Sequence, residues 1–296
     1  MNEPVQQPHD DPTSAWQSCG TIPADKLWDT RVQMHWALQI PAAVGKQLVE
    51  KAPMDSHTSL GWLEERRALA TDWSASEPNV SAALQLATFR VLLDHDNGSD
   101  TYDLKGRSLA DGYAWLQERI KAIGSMLPGE LTGFDDMPPH AVRTSGAAFS
   151  PDPAALDEWQ RFFENADRLL HKLCTAFDFA SPVRTWPHHF DVATLIAFSA
   201  TTDPATGKTI GIGFCPGDEA WYREPYWYCT PHGAEVDASN LPALRGGGEW
   251  RTDNGRPSAI LRHAHIVAGG DAAAQAEQVQ SFAESALVAC KSLLGA

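Results

Sequence analysis

The chain has 296 residues, 43% of them hydrophobic and 21% charged, ordinary globular values that exclude wholesale disorder. Lys and Arg number 23 against 38 Asp and Glu, a formal net charge of −15, which repels phosphate backbones and anionic lipid and argues against nucleic-acid and membrane partners. Five cysteines, widely spaced and without a CxxC pair, leave zinc ribbons and thioredoxin-type centres unsupported and fit reduced thiols in a cytoplasm.

The start, Met1-Asn2-Glu3-Pro4, has neither the basic nor the apolar region of a signal peptide, and no apolar run approaches the ~18 residues of a membrane span. Residues 1–26 are rich in Pro, Gln and Asp and lack periodicity, so a flexible arm is expected there. From Val32 to Val49 apolar residues are dense but interrupted by Pro41 and Gly45, which reads as a strand with a bulge. Leu60–Leu69 and Ala83–Leu93 read as two further strands, and Asp96-Asn97-Gly98 as a hairpin turn returning through Thr101–Leu104. Ser108 and Asp111 form a capping box before an amphipathic helix over residues 109–126, carried by Tyr113, Leu116, Ile120 and Ile123.

Residues 128–150 hold Pro128-Gly129 and Pro138-Pro139 and read as a long connection. Asp152-Pro153 then starts a helix whose apolar stripe runs from Leu156 to Phe177. Strands are expected at Arg184–Ala200, Thr209–Cys215, Tyr226–Thr230 and Ala259–Val267, and Asp271 caps a last, Ala-rich helix. The pattern implies an α+β fold with largely antiparallel sheet, one unit over residues 27–296 or two similar halves, 27–150 and 151–296.

Familiar chemical motifs are missing. Gly211, Gly213 and Gly217 fall one residue off the dinucleotide fingerprint and no helix pattern follows them; P-loop, zincin and nucleophile-elbow signatures do not occur. The densest polar cluster is Trp186-Pro187-His188-His189-Phe190-Asp191. On a strand, His189 and Asp191 would share one face and His188 the other, the carboxylate orienting the imidazole for acid–base work. His263 and His265 have the same spacing; were the two strands neighbours, they would complete a metal set with His189 and Asp191 for a hydrolase or oxygenase. The alternative is polar groups satisfied at strand ends in a non-catalytic interaction or structural protein. Asp218, in the Cys215-Pro216-Gly217-Asp218 turn, is a candidate base or a solvated surface acid, and Cys215 a nucleophile if its pKa were lowered. Five aromatics within Trp221–Tyr228 fill a core or wall an apolar pocket, with Arg223 available to an anion. Lys46 is a further anion contact, and Phe134-Asp135-Asp136 with His140 a third acid–histidine group.

Several of these segments, in this order, resemble a family of uncharacterised bacterial proteins with a domain of unknown function. The similarity rests on Leu38-Gln39, Gly45-Lys46, His57-Thr58-Ser59, Phe134–Asp136 with His140, and Ser181-Pro182-Val183. Trp186–Asp191, the GFxPG turn Gly213–Gly217 and Tyr226-Trp227-Tyr228 complete it. It covers roughly residues 30–294, and this chain departs from it at Cys215 and within Trp186–Phe190. The resemblance implies one continuous unit and brings no activity, cofactor or catalytic residue. The expectation is a small-molecule site of unknown cofactor in the C-terminal half: His189, Asp191 and Asp218 as catalytic groups, with Lys46, Trp186, His188, Arg223 and Tyr226 as ligand contacts.

Overall fold

The computed structural model describes residues 15–198, 200–253 and 255–296. The first helix, α1 (Ala24–Leu48), replaces the expected strand and carries Pro41 inside it. Eighteen of its 25 residues are buried, and from Thr30 to Gly45 the burial is continuous. A helix surrounded on all sides shows no 3.6-residue stripe, and so its apolar density was misread. The strands form two antiparallel sheets. The first is a meander in chain order: β1 (Gly61–Leu63), β2 (Ala68–Ala70), β3 (Val80–Gln85), β4 (Arg90–His95) and β5 (Gly98–Asp103). The expected single strand at 83–93 is thus the β3–β4 hairpin, turned at Phe89, whose φ is +56°. The β4–β5 hairpin turns at Asp96-Asn97, within the expected Asp96-Asn97-Gly98, and Gly98 already pairs with His95.

Helix α2 (Leu109–Ala122) has the capping box of Ser108 and Asp111. Within the long connection lies only a short helix, α3 (Ala141–Thr144). Helix α4 (Pro153–Cys174) is capped by the Asp152 side chain. The second sheet has the order β10-β11-β9-β8-β7-β6, built from β6 (Arg184–Thr185), β7 (Val192–Ala197), β8 (Thr209–Cys215), β9 (Tyr226–His232), β10 (Glu249–Arg251) and β11 (Ser258–Arg262). The expected strand 259–267 ends at Arg262 and continues as helix α5 (His263–Ala268); α6 (Ala272–Leu294) closes the chain. The fold is α+β. No helix among the described residues is long and apolar enough to cross a membrane.

One face of the second sheet packs on α4 and α6. Ile210, Ile212 and Phe214 of β8 and Trp227 and Cys229 of β9 belong to that core. One connected apolar core runs from Cys19 to Leu294. Where a flexible arm was expected, residues 17–22 instead lie against this core. The side-chain amide of Asn165 exchanges two hydrogen bonds with the backbone of Gln17 (2.9 and 2.8 Å), and Gln275 does the same for Cys19 (2.9 and 2.8 Å). Residues 1–14 of the expected arm lie outside the described residues.

Candidate functional site

Alternation along two strands makes the site. On the face of the second sheet away from α4 and α6, β8 presents Gly211, Gly213 and Cys215, while β9 presents Tyr226, Tyr228, Thr230 and His232. Small residues on the central strand leave room that the neighbouring aromatics reach across. A Cβ on Gly213 would stand 2.8 Å from the Tyr228 hydroxyl and 2.6 Å from the Val192 carbonyl oxygen. Beside the two glycines, Cys215, Tyr226, Tyr228, Thr230 and His232 of this face line a cavity of about 1000 Å³. An adjoining cavity of about 560 Å³, reaching Trp186, Thr58 and Phe134, shares His188, His189, Asp191, Tyr228 and His232 with it.

The segment Trp186–Asp191 forms the loop of the β6–β7 hairpin, not a strand. The His189 and Phe190 amides donate to the Trp186 carbonyl, and Phe190 has φ +67°, a left-handed conformation costing about 1–3 kcal/mol for a bulky residue. Packing holds it there. The Phe190 ring stacks on His35 at 5.0 Å and leans on Phe163 at 5.2 Å. Three polar residues of α1 at helical spacing, Arg31, His35 and Gln39, fasten the loop from below. Gln39 Nε2 donates to the Pro187 carbonyl at 2.7 Å, and its Oε1 accepts from the Phe134 amide at 3.0 Å. His35 donates from Nε2 to that same carbonyl at 2.8 Å, which leaves Nδ1 to accept from Arg31 Nη1 at 3.1 Å. The Arg31 donor requires an unprotonated Nδ1, and complete burial next to that guanidinium holds the pKa well below the ordinary value against the pull of the Pro187 carbonyl.

The loop brings together what strand alternation would not have. His189 is exposed, His188 half-buried and Asp191 buried, yet all three line the large cavity, as does Asp218. Asp191 accepts a hydrogen bond from the Tyr228 hydroxyl at 2.5 Å through Oδ2, while its Oδ1 is buried without a partner. Burial raises its pKa, against the pull of His189 and the Tyr228 hydrogen bond. Asp218 accepts from the Tyr226 hydroxyl and, at 2.5 Å, from the Trp221 amide. The Cys215 thiol points at Asp218 with Sγ 3.6 Å from Oδ2, and burial beside that acid pushes its pKa up, so the nucleophilic role entertained for it has no electrostatic support. The two flanking imidazoles stay neutral. Burial lowers the pKa of His188 to about 4, with His189 adding to it, and that of His232 to about 4, with Arg256 adding to it.

Other expected contacts fall elsewhere. Trp186 and Tyr226 line the paired cavities, whereas Lys46 is exposed, donates to the Gly133 carbonyl at 2.9 Å and sits over the Phe134 ring. Arg223 is exposed, pairs with Glu219 at 2.9 Å and covers the outer face of Trp28. His140 pairs with Asp29 at 3.1 Å and caps α3 instead of meeting Asp135 or Asp136. The metal set built on His263 and His265 is not assembled. These residues open a helix, where two positions apart means different sides; His263 is buried against Phe162, and His265 is exposed beside Gly247. Among the described residues no group of three or more His, Cys, Asp or Glu is arranged to hold a metal ion. The sequence reading missed Arg31, His35, Gln39, Tyr228 and His232. A signal existed for the first three, polar residues at i, i+4 and i+8 inside an apolar run, but it has meaning only on a helix.

The model of a family of unknown function, DUF5996, matches residues 20–295, so the chain belongs to that family. No curated protein and no solved structure matches it.

Proposed function

We propose that this member of the DUF5996 family binds a small organic molecule in the cavity between the β6–β7 loop and the open face of the second sheet, with His189, Asp191 and Asp218 as its polar working groups. One observation carries the reading: these residues come from a hairpin loop and a strand-end turn far apart in sequence, and they line one space of about 1000 Å³ walled by Trp221, Tyr226 and Tyr228. Asp191 is suited to exchange a proton. It is a buried carboxyl with one oxygen held by Tyr228 and the other unpaired, next to an exposed imidazole that reaches solvent. The acidic balance favours neither nucleic acid nor an anionic membrane as partner, and five free cysteines suit a reducing, cytoplasmic setting.

His189 gives the cleanest test, because its exposed side chain makes His189→Ala nearly neutral for stability, within about 0.5 kcal/mol. A thermal-shift screen of metabolites on wild type and His189→Ala is expected to find ligands that raise the wild-type Tm and raise that of the variant less. Ligands that shift both proteins equally, or none that shifts either, would sink the assignment of this cavity.

A further inference from the structure

Arg31 is a buried cation without a contact ion pair; Asp218 and Asp191 attract it through space but do not touch it. It is 1% exposed, lines the large cavity, and forms no ion pair with any carboxylate among the described residues. Its guanidinium lies 5.5 Å from the Trp28 ring and 5.3 Å from that of Phe190; Nη1 donates to His35, Nη2 makes a long 3.4 Å contact with the His189 carbonyl, and Nε has no partner. Four acids line the same space: Asp191 is held by Tyr228, Asp218 by Tyr226 and Glu219 by Arg223, and none of them, Asp136 included, pairs with Arg31. An unpaired buried charge is costly, and His35, itself fixed by Pro187, holds this one in place at the cavity wall.

We propose that the ligand of this cavity is a small aromatic carboxylate whose carboxylate group is received by Arg31, an inference that rests on the cavity being a ligand site. A monoanion matches the single buried guanidinium of the lining; Arg256, which also lines the cavity, is exposed and donates to His232 Nδ1 at 2.6 Å. A phosphate dianion would bring surplus negative charge next to Asp191 and Asp218, and the chain's net charge of −15 offers it no attraction from a distance. Trp221, Tyr226 and Tyr228 supply flat apolar walls for a ring, and the planar guanidinium suits the planar carboxylate.

Calorimetric titration of the wild-type protein with benzoate, 4-hydroxybenzoate and indole-3-acetate, each beside its primary amide, and with inorganic phosphate, tests this without any variant. The expected result is at least one acid bound tenfold or more tighter than its amide, phosphate not bound, and that preference lost in Arg31→Gln but kept in part in Arg31→Lys. Should Arg31→Gln fail to fold, the acid–amide ratio decides alone. Amides bound as tightly as acids overturn the carboxylate while leaving the cavity a ligand site, and phosphate bound in preference overturns it in favour of a dianion. If no acid binds while the metabolite screen finds a neutral ligand, this inference fails by itself; if neither finds a ligand, both readings fail.

Discussion

Asp191 concentrates the tension of the site. Its carboxyl is buried, and one Tyr228 hydroxyl and the nearby His189 do not offset the loss of water, so the folded state holds the proton more tightly than the unfolded chain does. In the window from the unfolded value, about 3.9, up to its raised folded value, the native state therefore binds more protons, and stability falls as pH rises. Asp191→Asn keeps an oxygen for Tyr228 and cannot ionise. Its Tm relative to wild type should climb as pH is raised from about 4 to neutrality, the direction set by that proton balance. A difference between the two proteins that stays flat with pH would mean that Asp191 is ionised at no cost. His188 has the opposite sign. With its pKa brought down to about 4, its contribution is present above the ordinary histidine range and drains away as pH falls through it, so the Asn comparison is best made with His188 intact in both proteins.

Among the elements, β8 decides how much of the site exists. Its outward positions are Gly211, Gly213 and Cys215, and the glycines are not equivalent: a Cβ on Gly213 meets backbone at 2.6 Å, whereas one on Gly211 meets side chains alone, the His232 ring at 3.2 Å and Leu195 at 3.6 Å. Gly213→Ala should therefore cost about 1–3 kcal/mol in urea denaturation, the usual range for overpacking, and Gly211→Ala clearly less. Equal losses would show that crowding of β7 and Tyr228 is not what the glycine prevents. The same strand shows where the sequence was readable. Thr209–Cys215 and Tyr226–Thr230 were legible as strands and are β8 and most of β9, and the caps at Ser108, Asp152 and Asp271 announced their helices. Helix α1 was illegible because burial all round erases periodicity, and with it went the ladder of Arg31, His35 and Gln39. The partnership of His189 with Asp191 was legible by position only; a loop with Phe190 in a left-handed conformation, and not strand alternation, brings them together.

At the scale of the molecule, the two halves are divided by sheet and joined by almost everything else. Leu60, next to β1, and Thr185 of β6 exchange backbone hydrogen bonds at 2.9 and 2.7 Å, so the two sheets meet edge to edge. Helix α1 packs on β3 of the first sheet and on α4, which covers the second. Gln275 of the last helix holds Cys19 near the start of the described chain. The cavity lies along these joints, since Arg31 and His35 come from α1, residues 136–139 from the connection before α3, and the remaining groups from the second sheet and its loops. A half unfolding alone would expose the shared core and leave Pro187 and His189 without their α1 partners, a loss each half would feel. Unfolding in urea should accordingly be one transition, with tryptophan fluorescence and far-ultraviolet circular dichroism giving the same midpoint, although a chain well above about 150 residues commonly departs from two-state behaviour. Two separated midpoints would make the halves independent domains. The cavity would then be an interface between moving bodies, and ligand would shift the two midpoints by unequal amounts.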